Sequence, residues 1–412
     1  MDSRRAAPGR GFALALGLVA FVAPLAVHLF LPMIPAVKAA LGLSEAVAQL
    51  NFSIALFAMA LSTLAYGTLS DRWGRRPVLL SGLVLFLLGS AGSGLAQTGS
   101  GLVLGRVVQA IGAGCGMTLV RTIARDAYRD EHLIRAIAYL TMFYTLGPMI
   151  APVIGGVLID TLGWRSVFGF ALAAGGAITL VVYAMIGETL PASERVAREI
   201  GVLRGYADLF SRPKLVGYVL QSGFNTAAFM TMASAAATLM KELLQRPSSE
   251  FGFYFLLFPL GFFFGNLISS RIGNRVSNEA MVLAGSLLAV TTVALQAWLL
   301  LSGHVSAWTF FIPGFFITFS QGISLPYAQV GAMAVVPRLA GTAAGIGVFM
   351  QNFGGAVFTQ LYGLFADGTP RPMIIIAGCS AILCLAAGAL PFALAQRVAA
   401  GGKGGSSARA DR

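Results

Sequence analysis

Between residues 67 and 77 the chain reads G-T-L-S-D-R-W-G-R-R-P, and this stretch limits the fold more than any other. It sets one acid, Asp71, and three arginines, Arg72, Arg75 and Arg76, between two long runs that carry no charge, about 51–66 and 78–96. Each such charge costs roughly 2.5–3.5 kcal/mol at the centre of a bilayer. The cluster therefore belongs in a tight loop at a membrane surface, and its arginines mark that surface as cytoplasmic. Gly67 and Gly74 allow close approach and a sharp turn. Pro77 suits the first turn of the next helix. Asp71 is placed to pair with an arginine across the loop or on a neighbouring helix.

The composition agrees. Hydrophobic residues make up 57% and charged residues 11%, where a soluble domain carries about 25% charge. The 412 residues give room for about twelve spans of roughly 20 residues with short loops. An all-α integral membrane protein is predicted. The 50 glycines suit helices that pack closely in lipid. A net charge of +12 is explained by basic loops and tails, so no nucleic-acid partner is expected. Cys115, Cys379 and Cys384 all fall in apolar runs. None has metal-ligand spacing, so they read as packing residues, with no metal, no cofactor and no disulfide framework. The first apolar run lacks a clean small-residue cleavage site and reads as a retained span rather than a signal peptide.

The apolar runs place spans at about 11–35, 47–67, 77–97, 101–124, 136–159 and 164–187, then 214–240, 250–271, 279–302, 306–336, 340–365 and 371–395. The expected organisation is an N-tail (1–10), a first six-helix bundle (11–187), a polar linker (188–213), a second bundle (214–395) and a disordered tail (396–412). Arg and Lys concentrate in the tails, the linker and the even-to-odd connections, which predicts two cytoplasmic termini. Glu194, Arg195, Arg198 and Glu199 make a surface helix in the linker plausible. After the eighth span, S-S-R-I-G-N-R (Ser269–Arg275) echoes the opening loop, with Ser270 where Asp71 stands. An echo at the same place in two halves is consistent with parallel repeats.

The loop G-x-x-x-D-R-x-G-R-R resembles the signature between the second and third helices of the major facilitator superfamily, with every fixed position met by Gly67, Asp71, Arg72, Gly74, Arg75 and Arg76. A generic positive-inside loop is the plain alternative. In the fourth span Arg106, Gln109, Gly112 and Gly114 resemble the family's R-x-x-Q-G-x-G, although Ala110 takes the first glycine position. The resemblance links this arginine to proton coupling; snorkelling to the outer surface is the alternative. In the fifth span Gly147, Pro148, Pro152, Gly155 and Gly156 resemble the exporters' G-P-x-x-G-P-x-x-G-G, with Ala151 for the second glycine. L-P-M-I-P, V-R-T-I-A-R-D-A-Y (Val120–Tyr128), G-W-R-S-V-F and G-E-T-L-P resemble the twelve-helix drug:proton antiporters of the bicyclomycin- and chloramphenicol-resistance branch, most densely over 28–191.

The resemblance implies two six-helix bundles, alternating access, export of small organic molecules in exchange for protons, a bacterial inner membrane and a monomer. It implies a conformational latch of Asp71 and Arg75 with Asp126. It also implies a central cavity lined by Phe52, Phe57, Gln109, Tyr144, Gln221, Phe224, Asn225, Phe229, Phe319, Gln351 and Asn352. Such walls suit a neutral or amphiphilic substrate. The branch usually carries an Asp in its first helix, where this chain has His28. No acid lies deep in any span, so a proton carrier would be His28 acting with Arg106; a neutral, merely packed His28 and an uncoupled facilitator or importer stay open. A membrane enzyme is disfavoured, because His28, His132 and His304 are scattered and paired intramembrane carboxylates are missing. Nor is there a phosphate-binding loop to point to ATP. A sensor or scaffold would need a large soluble domain, which the sequence lacks.

Overall fold

A computed structural model describes residues 10–128, 130–195, 211–336 and 340–407. Every regular element among them is a helix. α1 is a broken helix of four pieces, Arg10–Ala20, Val22–His28, the 3-10 turn Leu31–Met33 and Ile34–Leu41. Its prolines explain the breaks: Pro24, Pro32 and Pro35 have no amide hydrogen for the ladder. α2 (Glu45–Trp73), α3 (Arg75–Leu95), α4 (Gly99–Ala127), α5 (Asp130–Leu162) and α6 (Arg165–Met185) complete the first half. The second half holds α7 (Pro213–Glu242), α8 (Ser248–Phe255 and Leu257–Ile272), α9 (Asn278–Leu301), α10 (Ala307–Val335), α11 (Ala340–Phe365) and α12 (Arg371–Ser407).

Among the described residues nine of these helices are long and apolar enough to cross a membrane. α7, α10 and α11 stand outside that set and carry Gln221, Asn225, Gln321, Gln351 and Asn352. The proposed linker helix around Arg198 and Glu199 lies outside the described residues; before it, Ala192–Glu194 forms one 3-10 turn. The backbone of α12 stays helical past Gln396 to Ser407.

The chain divides into two compact units. The first contains α1–α6 together with residues 233–256 and 359–369, which are the ends of α7 and α11 and the start of α8. The second contains residues 200–232, 257–358 and 370–412.

Glycine sets the packing inside each unit. A Cβ on Gly112 of α4 would stand 2.2 Å from the Phe86 amide nitrogen of α3, and one on Gly114 would stand 2.1 Å from Ser62 Oγ of α2. In the second unit a Cβ on Gly322 of α10 would lie 2.4 Å from the Phe262 carbonyl of α8, and one on Gly285 of α9 would lie 2.8 Å from the Ser320 carbonyl of α10. The fourth helix of each half thus packs backbone-close on the second and third of that half, a repeat visible in contacts where the sequence shows one degenerate loop. Overpacking such a site costs about 1–3 kcal/mol. Gly112→Leu should therefore lower the melting temperature of the purified protein by several degrees. Gly176→Ala, whose Cβ would meet nothing within 4 Å, should leave it unchanged. Thermal unfolding of the two variants checks this contrast.

Candidate functional site

The charged loop is a compact ion-pair centre. α2 ends at Trp73, and Gly74 turns the chain at φ +99°, a conformation that favours glycine. The turn aims Arg75 back under α2. Its Nε donates to Asp126 Oδ2 at the end of α4 (2.9 Å), and its Nη1 donates to Asp71 Oδ1 and Ser70 Oγ, both at 2.6 Å. Arg75 is 4% exposed, whereas the Asp71 side chain is 41% exposed and that of Asp126 18%. Asp126 is thus the more sheltered partner. Arg76 donates to the Tyr183 carbonyl (2.9 Å) and lies over the Tyr183 ring.

Sequence reasoning missed one member of this centre. Glu188 Oε1 accepts from the Arg75 amide at 2.9 Å and from the Thr189 and Leu190 amides at 3.0 Å. It caps α3 from the segment after α6, and a Cβ on Gly74 would stand 2.4 Å from its other oxygen. The available signal was an acid at a span end inside G-E-T-L-P.

Arg106 lies buried inside the first unit, 2% exposed, and does not reach an aqueous surface. Its Nη2 donates to the Ala26 carbonyl of α1 (2.9 Å), its Nε to the Asn51 carbonyl of α2 (3.3 Å) and its Nη1 to Gln109 Oε1. The break in α1 makes the first bond possible. Phe30 N turns to the Val27 carbonyl, so the Ala26 carbonyl is free for a donor from another helix. The guanidinium also sits 4.4 Å from the Phe30 ring centroid, and Phe30 stacks on Phe52. Gln109 passes the chain of bonds on to Ser90 Oγ of α3 at 2.8 Å. Arg106 therefore ties four helices through carbonyls, an amide and a ring, with no carboxylate among its partners. His28 is buried nearby in sequence but is not bonded to Arg106. Its Nδ1 lies 3.3 Å from the Pro24 carbonyl, and its ring meets the edge of Phe255.

The fifth-helix motif works by close approach. A Cβ on Gly147 would strike Pro24, one on Gly155 would strike the Leu29 carbonyl, and one on Gly156 would strike the Ser248 carbonyl at the start of α8. From the other side Gly252 lies flat on the Pro152 carbonyl. Asp160 closes the seam, accepting from the Ser248 and Ser249 amides (3.1 and 2.7 Å) at the N-terminus of α8.

The Major Facilitator Superfamily profile matches residues 16–359. The chain belongs to the Major Facilitator Superfamily. It is a multi-pass inner-membrane transporter of a small molecule and not an enzyme, built on the superfamily's all-helical fold of two bundles. It is 28% identical to Multidrug resistance protein D of Escherichia coli over 90% of this chain and 94% of that protein. It is 22% identical to a Bicyclomycin resistance protein homolog of Haemophilus influenzae over 91% and 94% of the two chains. In structure it resembles a D-xylose–proton symporter, with a TM-score of 0.75 at 15% identity over 91% and 96%. It also resembles a bacterial homolog of the human lysosomal transporter Spinster in an inward-facing, unoccupied conformation, with a TM-score of 0.74 at 18% identity over 94% and 96%.

Within this facilitator fold the candidate cavity residues divide between the units. Phe52, Phe57, Gln109 and Tyr144 belong to the first, and Gln221, Phe224, Asn225, Phe229, Phe319, Gln351 and Asn352 to the second. Phe52 and Gln109 are committed to the Arg106 cluster. Gln221 is fully buried, its Nε2 donating to Ser286 Oγ and Ser324 Oγ at 3.2 and 3.1 Å. Asn225 reaches the same Ser324 hydroxyl. Phe224 packs edge-on to Phe358, Phe229 tilts on Phe258, and Phe319 stacks on Phe315. Tyr144 is 38% exposed, and Gln351 and Asn352 are half-buried.

Truncating the buried arginine tests its cluster. Arg106→Met would leave the Ala26 and Asn51 carbonyls and Gln109 Oε1 without their donor, at about 1–3 kcal/mol each, partly offset by removal of a buried charge. The melting temperature should fall by several degrees. Arg106→Lys, which lacks the planar fork, should fall between that variant and the parent. Parent-like melting of Arg106→Met would show that the cluster contributes nothing to stability.

Proposed function

We propose that this transporter exports small, mostly neutral or amphiphilic organic molecules, drugs among them, by alternating access in exchange for protons. The observation that carries the reading is its similarity to Multidrug resistance protein D over 90% of the chain. The apolar and aromatic character of the cavity candidates, with uncharged amides among them, supports the substrate class. The positive-inside pattern supports two cytoplasmic termini. The protein is proposed to work as a monomer.

The proton carrier in this reading is His28. A carbonyl oxygen can only accept, so the contact with Pro24 requires Nδ1 to hold the hydrogen. That leaves the Nε2 lone pair, which makes no hydrogen bond among the described residues, as the atom that takes a proton. Arg106, a fixed cation in the same bundle, would favour the proton's release. One observation favours the alternative of an uncoupled facilitator: every Asp and Glu of the described helices stands near a helix end.

Proteoliposomes with an imposed pH gradient, tested against a small panel of antibiotics and metabolites, decide between the two. Coupled export should follow the gradient, His28→Ala should abolish uphill transport while keeping substrate binding, and His28→Asp should restore coupling. Transport indifferent to the gradient, or uphill transport at the parent rate in His28→Ala, would overturn proton coupling through His28.

The Arg75 centre is proposed as the conformational latch, since paired charges at helix ends can be joined in one state and parted in another. Asp126→Asn should slow transport more than Asp71→Asn, because Asp126 is the more sheltered partner, and neither should unfold the protein. Equal, parent-like rates in both would remove the latch from the mechanism.

A further inference from the structure

The first unit holds a cleft of about 390 Å³ between the start of α1, the end of α4 and the first turns of α5. The candidate spans of α1 and α5 begin at Gly11 and Arg135, so the cleft runs from the helix ends into the apolar region. Its deeper part is apolar, with Leu16 and Leu140 buried there. Beyond them the Phe143 ring packs on Gly17, whose added Cβ would stand 3.0 Å from it, and Tyr139 tilts on Phe143 with ring centroids 4.9 Å apart. Short side chains make the room, since Ala13 of α1 and Ala136 of α5 stand in the facing walls. The mouth is polar. Tyr128, His132 and Arg135 surround it, the last two exposed, and the Tyr128 ring lies 6.1 Å from that of Phe12. Among the described residues no acid lines the cleft. Tyr128 follows Asp126 by two residues, so the mouth lies at the Arg75 end of the unit, the side that the positive-inside pattern makes cytoplasmic.

We propose that this cleft binds a single-chain anionic amphiphile, a medium-length carboxylate taken from the cytoplasm, with its head at Arg135, His132 and Tyr128 and its tail along Leu16, Ala136 and Leu140. The division of the lining into a polar mouth and an apolar interior asks for a ligand divided in the same way. Arg135 selects the sign of the head, and its planar fork matches a carboxylate. Tyr128 and His132 can add hydrogen-bond donors beside it. The volume is that of a pocket for one drug-sized molecule and is too small for the paired acyl chains of a membrane lipid. None of the lining residues is among the candidate cavity residues, and neither His28 nor Arg106 takes part. The occupant need not be cargo, so the site stands apart from the export reading.

Photocrosslinking tests this on the full chain in phosphatidylcholine nanodiscs. The probe is decanoate carrying a diazirine at the end of its tail. The label should fall on peptides that contain Leu16 or Leu140. Plain decanoate should compete with it, and decyltrimethylammonium at the same concentration should not. Arg135→Glu should cut the labelling about fivefold or more, and Arg135→Lys should keep most of it. Ala136→Phe, which fills the wall, should also cut it. Label spread evenly over the lipid-facing helices, equal competition by the cation, or parent-like labelling of Arg135→Glu overturns the site. Phosphatidylglycerol added to the nanodiscs separates the two sources of an anionic head. Unchanged labelling supports the soluble amphiphile, and loss of labelling makes a membrane lipid the occupant and overturns the proposal. Arg135 is exposed, so its variants should fold; if Ala136→Phe does not, the two Arg135 variants decide alone.

Discussion

The structure depends on backbone meeting backbone. In a bilayer, side chains gain nothing by leaving one apolar surface for another, so helices are held by close contact and hydrogen bonds. Glycine supplies the contact. Gly112 and Gly114 let α4 sink against α3 and α2, and Gly322 and Gly285 do the same for α10 with α8 and α9. On α5 the residues Gly147, Gly155 and Gly156 serve two partners, α1 along most of the helix and the start of α8 at its end. The export-type motif is therefore a packing surface first. Its prolines remove hydrogen-bond donors, and its glycines accept the neighbour that comes close.

Charge is distributed by the same solvent. The acids and most of the bases stand at helix ends, where water or an opposite charge can reach them. At one end the Arg75 guanidinium joins α2, α3 and α4. At the other the Lys38 ammonium joins α1, α2 and α7. Arg106 is the exception, held away from water by carbonyl dipoles and an aromatic face. Its burial is tolerable because each donor it spends finds an acceptor already oriented by a helix.

Much of this was legible in the sequence. Dense charge between apolar runs marked residues 67–77 as a turn between two helices, but the structure confines the turn to Gly74: Gly67–Trp73 continue α2, Arg75–Pro77 already belong to α3, and Gly67 has no neighbour close enough to need a glycine there. Asp71 could be seen as a partner for a nearby arginine, while the trio of Arg75 with Asp71 and Asp126 came from the family resemblance. What could not be read was long-range partnering. Nothing in the sequence joins Lys38 to Glu242, Glu188 to the Arg75 amide, or Asp160 to the start of α8, because such contacts are chosen by the fold and not by local pattern. The polar residues of α7 illustrate the same limit. Gln221 and Asn225 are correctly seen as uncharged groups deep in a span, but whether such a group faces a cavity or a serine on the next helix is a matter of rotation about the helix axis. In this structure they face Ser324.

The interruption of α1 has a mechanical consequence. A proline-broken helix is commonly the place where a chain bends, because the missing hydrogen bonds leave the two pieces loosely coupled. Here the vacated Ala26 carbonyl is taken up by Arg106. The guanidinium acts as a strut across the gap, bracing it from α4 and from the Asn51 carbonyl of α2. A joint braced from two sides is stiff. Bending at Leu29 and Phe30 would have to strip a charge-assisted bond and pull the Phe30 ring off the cation. The apparent weak point of the first helix is thus a splice, closed by a side chain of α4 that is also anchored on α2.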